Sequence, residues 1–156
     1  MPQLDYNDLA AAVKGALADI GITDKVGRVA AAAIPFGVGL AQTAVAGQAE
    51  IPTATGFVFE GISVQTNKPT ANATGEAQYE IGEEITVLRK GRVWVYVEEA
   101  VAVNDDVFLR HTDNAALLAG DFRTDADTAN ADQITNARFV TATTAAGLAQ
   151  IEINLP

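Results

Sequence analysis

The sequence predicts a mainly β protein, a small antiparallel sandwich or barrel of jelly-roll-like form with an N-terminal arm or short helix. Three observations carry this expectation. From residue 34 onward apolar residues recur with period two, in short runs rich in Val, Phe, Ile and Thr that Gly, Pro and Asn interrupt. Helical periodicity is confined to the first 33 residues. The final run alternates cleanly: Ala149, Ile151, Ile153 and Leu155 share one face, while Gln150, Glu152 and Asn154 share the other. That is the pattern of a strand with one buried and one wet side. A chain of 156 residues suits a single domain, here divided into an arm at 1–33 and a β domain at 34–156.

Each element has its own local reason. In the arm, Leu9, Val13, Leu17 and Ile20 recur at helical spacing. Asn7 or Asp8 stands where a helix cap belongs, and Gly21 follows the last apolar position. Gly15 in the middle weakens such a helix. Strands are expected over 36–42, 56–64, 84–89, 92–98, 107–110, 137–142 and 148–154. Lys90 and Gly91 read as the turn of a hairpin between the third and fourth of these. Residues 104–106 read as a turn into the next strand. Val93, Val95 and Val97 point one way and Trp94 and Tyr96 the other, so this strand is expected to be covered on both sides. Its own core covers one side, and the arm or a neighbouring subunit the other. The polar stretches 66–78 and 124–136 read as surface loops, and no internal repeat is present.

Composition excludes several classes. The chain carries a formal charge of −10, and its ten Lys and Arg residues are scattered from Lys14 to Arg138. Displacing counterions from nucleic-acid phosphates needs clustered basic residues, so neither nucleic acid nor an anionic membrane is an expected partner. Without cysteine there are no disulfides, thiolate metal sites or cysteine nucleophiles. No stretch approaches the roughly 20 apolar residues of a membrane helix. Asp5 and Asp8 occupy the place where a signal peptide needs basic residues, so synthesis in the cytoplasm is expected. Hydrophobic residues make up 49% but aromatic residues only 6%, so many buried positions are small. Such a domain is expected to take part of its stability from oligomerisation or a partner.

A search for chemistry leaves little. Ser63, His111 and a carboxylate such as Asp113 would be needed for a nucleophilic triad. Ser63 lies inside a strand without a G-x-S-x-G elbow, and His111 sits in a polar RHTDN context that reads as a surface turn. Asp121, Asp125, Asp127 and Asp132 cluster, but the Gly and Glu of a calcium loop are missing, so they read as a solvated acidic loop. The adjacent pairs Glu83, Glu84 and Glu98, Glu99 are expected on opposite strand faces, unlike a glycosidase pair. The G-x-G of IPFGVGLAQ lacks the rest of a nucleotide fingerprint. Trp94 and Tyr96 have the chemistry to stack a sugar, although core or interface is the commoner use of such residues. No catalytic, cofactor-binding or metal-ligating residue is assigned, no cofactor is expected, and the chain is not expected to be an enzyme.

The order of motifs carries a resemblance. IPFGVGLAQ at 34–42, GFVFEGISV at 56–64, GRVWVYVEEAVAVNDDVFLR at 91–110 and NARFVTATTAAGLAQIEINLP at 136–156 follow the Ala/Gly-rich GALADIG. Taken together, from about Gly15 to Leu155, they resemble the capsid cement (decoration) proteins of tailed bacteriophages. The Ala-rich run 30–33 and the acidic loop 124–136 depart from that pattern. The resemblance implies a homo-oligomer, dimer or trimer, on the outer surface of the virion. There it would bind the major capsid protein of an assembled head and bridge neighbouring capsomers. The candidate capsid or subunit contacts are Leu9, Val13 and Leu17 of the arm together with Trp94 and Tyr96. The competing expectation is a carbohydrate-binding or adhesin-like β module on a virion or cell surface.

Overall fold

A computed structural model describes residues 12–19, 21–67, 75 and 77–156. Among them the strands are, in chain order, β1 (Asp24–Ala30), β2 (Ile34–Pro35), β3 (Gly39–Gln42), β4 (Gln48–Glu50), β5 (Phe59–Ser63) and β6 (Gln78–Tyr79). They continue with β7 (Glu84–Val97), β8 (Asp106–Arg110), β9 (Phe122–Arg123), β10 (Ala131–Phe139) and β11 (Gly147–Asn154). The one other regular element among these residues is a 3-10 turn at Asp127–Ala129.

The fold is mainly β, as expected, and of the two alternatives it adopts the barrel. One nine-stranded sheet runs β1-β4-β3-β5-β7-β11-β10-β8-β9, and it closes twice, because β1 and β9 both pair back onto β7. Two five-stranded circuits therefore share β7. Most pairings are antiparallel; β1 with β4 and β7 with β9 are parallel. Closure removes the exposed edges through which a flat sheet would aggregate. The short β2–β6 ribbon stands apart.

The sequence of β7 explains how one strand serves two cores. Ile85 and Val87 pack with Ile34, Phe36, Leu40 and Tyr79 in the first core. Leu88, Val93, Val95 and Val97 pack with Ile62, Leu109, Phe122, Phe139, Ile151 and Ile153 in the second. Val87 and Leu88 are chain neighbours on opposite faces and both are fully buried. Leu88 and Val93 lie an odd number of residues apart, so strict alternation would put them on opposite faces. A bulge resolves this. Lys25 pairs with Leu88 and Asp24 with Lys90, which leaves Arg89 unopposed on β1 and resets the alternation.

The expected hairpin at Lys90 and Gly91 is therefore corrected: 84–97 is a single strand. Gly91 has φ of 129°, a conformation open to glycine, and the chain passes through it without reversing. Its neighbours are taken up by β11, which pairs from Asn154↔Lys90 through Gly147↔Val97. Two further corrections concern segments read as loop or arm. Residues 24–30 form β1, in register with β7 over Asp24 to Val29. The second half of the 124–136 stretch is strand, with Ala131 and Ile134 buried, because β8 supplies the backbone partners. The 66–78 loop falls mostly outside the described residues.

The expected helix is not formed by the described part of the arm. Residues 12–19 run as turn and extended chain, with Leu17 bridged antiparallel to Val93. Gly15 has φ of 85°, outside the right-handed helical region, and strand β7 offers the arm's backbone a partner. Leu9 and Ile20 lie outside the described residues.

Candidate functional site

The arm is stitched into the seam between β5 and β7. Gly15 N donates to Trp94 O (2.7 Å), Trp94 N to Ala16 O (2.9 Å) and Ala18 N to Arg92 O (2.9 Å). On the other side Gln65 N donates to Gly15 O (2.8 Å). The approach is so close that a Cβ on Gly15 would stand 2.7 Å from Gly37 N and 2.8 Å from Phe36 Cβ. Lys14 adds an ion pair, its Nζ donating to Asp121 Oδ1 at 2.8 Å, and lies 6.0 Å from the Tyr96 ring centroid. Burial pushes the Asp121 carboxyl above its ordinary value, and Lys14 opposes that push.

The sequence-predicted contact residues are thus separated in environment. Leu17 packs against the second core of its own chain. Val13 is 48% exposed and borders an apolar groove of about 310 Å³ shared with Phe36, Val38 and Leu118. Trp94 and Tyr96 are half-buried on the face of β7 opposite the fully buried valines. Trp94 is bonded to the arm through its backbone, in the plane of the sheet.

Ser63 and His111 are not brought to a reactive arrangement. Ser63 is fully buried, and its hydroxyl donates to Pro35 O (2.8 Å) while accepting from Val38 N (3.1 Å). It fastens β5 to the chain between β2 and β3. His111, expected at the surface, is only 4% exposed, because Phe57 covers it edge-on with 6.3 Å between ring centroids. Its Nδ1 meets Thr112 Oγ1 at 2.9 Å, and its Nε2 stands 3.6 Å from Asp132 Oδ1. Asp132 itself accepts from Gly56 N (2.8 Å) and Thr55 Oγ1.

The acidic cluster is not a solvated loop either. Arg110, fully buried, is gripped by Glu98 and donates to Asp127 Oδ2 at 2.6 Å. Arg123 reaches Glu98 (2.9 Å), Asp125 (2.7 Å) and, more loosely, Glu99 (3.7 Å). Glu98 and Glu99, expected on opposite faces, converge on Arg123 because the strand ends at Val97 and the chain bends there. Donating to the Glu98 carboxylate raises the Arg110 pKa further, against the opposing effect of burial. Burial works against the Arg123 charge, but Asp125 and Glu99 outweigh it. The Arg110 bond holds the Asp127 carboxyl below its usual range. These contacts fix three successive left-handed residues, Asp127, Thr128 and Ala129, with φ of 39°, 56° and 72°.

A second buried carboxylate, Glu60, is fully enclosed beneath Arg28, Arg89 and Gln42. Its signal in the sequence is a lone charge inside the apolar run GFVFEGISV. Among the described residues no group of three His, Cys, Asp or Glu is arranged to hold a metal ion.

The chain is similar in structure to a protein of the capsid of Myoviridae phage XM1, with TM-score 0.72 and 19% identity over 97% of this chain and 98% of that one. A weaker likeness, TM-score 0.45 and 12% identity over 85% and 95% of the two chains, is to the N base of head fiber gp8.5 of bacteriophage phi29. No curated protein matches the chain by sequence. The family model for structural cement protein (E217 gp24/Pam3 gp6) matches residues 1–154, nearly the whole chain. The chain belongs to the phage structural cement protein family.

Proposed function

We propose that this protein cements the assembled head: it binds the outer face of the shell as a homo-oligomer and bridges neighbouring capsomers. The observation that carries this is the cement-family match over residues 1–154. The role is structural rather than catalytic. A protein that binds only the assembled shell stabilises it by mass action, by RT ln(1 + [L]/Kd) per site. Attachment through several subunits adds avidity without new contacts. The half-exposed Val13, the outward Trp94 and Tyr96, and Leu9 beyond the described chain are the proposed contacts, whereas Leu17 supports its own barrel.

Co-sedimentation tests this. Purified protein is mixed with unexpanded and with expanded heads lacking it, then pelleted and quantified. Saturable binding to expanded heads, with a raised head-disruption temperature, is the expected result. A folded, monodisperse protein that pellets with neither kind of head overturns the proposal.

A further inference from the structure

A second groove, of about 400 Å³, opens where β10 leaves the sheet. β10 pairs with β8 at Gln133↔Phe108 and again at Arg138↔Asp106, so Val107 is the single residue of β8 facing the interval 134–137. β11 takes up β10 only from Ala137 onward. Residues 134–136 therefore form a wide bulge, a device by which a strand re-aims its side chains. Ile134 stays buried, while Gln133, Thr135 and Asn136 are exposed and line the groove. Among the described residues none hydrogen-bonds to the side chain of Gln133, Thr135 or Asn136.

Aromatic side chains and a buried charge complete the groove. Phe57 and Phe59, both half-buried, line it on either side of Val58. The fully enclosed Glu60 fixes two further lining groups, accepting a hydrogen bond from Gln42 Nε2 and standing 3.6 Å from Arg89 Nη1. Arg89 also donates to Pro156 O (3.0 Å), and the Gln42 amide oxygen is left to accept from a ligand. Asp132, held by Gly56 N and Thr55 Oγ1, is the one anionic side chain in the lining, as Arg89 is the one cationic. A charged ligand would meet its own sign in one of these two, whereas a neutral one would not. Vicinal hydroxyls need partners that donate and accept side by side, as carboxamides do. The C–H face of a pyranose needs an apolar wall, which Phe57 and Phe59 supply. An added peptide strand would need a longer free edge, since pairing of β10 resumes at Ala137. The volume falls among those of small-ligand sites, roughly 300–1,000 Å³.

We propose that this groove binds a neutral oligosaccharide, with Gln42, Gln133 and Asn136 as its hydrogen-bonding groups and Phe57 and Phe59 as its apolar wall. The site does not depend on the cement reading; carried in many copies on one head, it would give avidity to a weak interaction. The test is a titration of the full chain, followed by backbone amide shifts. The probes are neutral gluco-, galacto- and manno-oligosaccharides, anionic oligogalacturonate and an uncharged hexapeptide. At least one neutral oligosaccharide is expected to bind saturably and to shift amides of 57–59 and 133–136, with oligogalacturonate binding more weakly. Gln133→Ala/Asn136→Ala, which removes exposed side chains without internal partners, should keep the fold and weaken that binding about tenfold or more. A folded wild type that binds none of the neutral oligosaccharides overturns the proposal. So does binding that the double variant leaves unchanged, or shifts centred on Trp94 instead. Tighter binding of oligogalacturonate overturns the neutral ligand class, and a hexapeptide that shifts these amides when no saccharide does assigns the groove to a protein segment.

Discussion

Arg110 and Glu98 meet out of water: the guanidinium donates through Nε and Nη2 to both carboxylate oxygens, and neither side chain is more than 1% exposed. Glu98 also neutralises Arg123, so it is the shared counterion of two guanidiniums. Removing it leaves both short of compensation, at a cost of about 3–5 kcal/mol for a broken buried pair. Glu98→Ala is expected to lower unfolding stability by that order in urea titrations. Arg110→Met is expected to cost less, because Glu98 keeps Arg123.

Acid should loosen the same region. Arg110 holds the Asp127 carboxyl below its ordinary value, with Arg123 helping. The Asp127 backbone N–H and then Arg123 do the same to Asp125, and Arg92 and Arg138 to Glu152. A carboxylate depressed in the folded state binds fewer protons there than in the unfolded chain. Its stabilisation is complete above the ordinary carboxylate pKa of about 4 and is lost as pH falls through the folded value. Asp121, raised by burial, acts in the opposite sense and gains from protonation. Three depressed groups against one raised predict a net loss of stability on acidification. Melting followed from neutral to acid pH checks this, and Asp127→Asn is expected to flatten the slope.

The arm should come away before the barrel does. Gly15→Ala places a methyl against Gly37 N and Phe36 at a positive φ. Amide exchange at Ala18, Gln65 and Trp94, whose N–H groups bond across this seam, is expected to accelerate by about tenfold or more through local opening. Amides of β10 and β11 should keep their protection. Equal loss everywhere would show that the arm is part of the cooperative core.

Ser63 has a structural task that a substitution can expose. Ser63→Ala removes the acceptor of the buried Val38 N and the donor to the partly buried Pro35 O. A loss of about 1–3 kcal/mol in unfolding stability is expected for such an orphaned group. Head binding by the folded variant should match wild type in the co-sedimentation assay.

The legible parts of the fold are those written in local pattern. The alternation of 148–154 appears as β11, with Ala149, Ile151 and Ile153 buried, because a strand with one wet face must alternate. Val93, Val95 and Val97 face a core for the same reason. The buried ionic cluster was not legible. Arg110, Arg123 and Glu98 are charged residues near strand ends, and such positions are usually solvated. Two pairings of β9 bring them together: β8, through Phe108 to Arg123 and Leu109 to Phe122, and the end of β7, through Val97 to Phe122. His111 misled in the same way: Thr112 beside it does touch its ring, but the residue that covers it, Phe57, is distant in sequence.

By itself, then, the sequence determined a β protein with an N-terminal arm, most strand positions, the faces of its regular strands and the cement family. All of these follow from residue order and period-two patterning, which need no distant partner. Tertiary structure alone decided that 84–97 is one strand shared by two closed circuits, and that the arm is held in the sheet rather than coiled as a helix. The physical reason is that Lys90 with Gly91 suits a turn or a passage through an extended strand equally well in isolation. Which one forms depends on where the backbone N–H and C=O groups find partners, and here β1, β11 and the arm supply them.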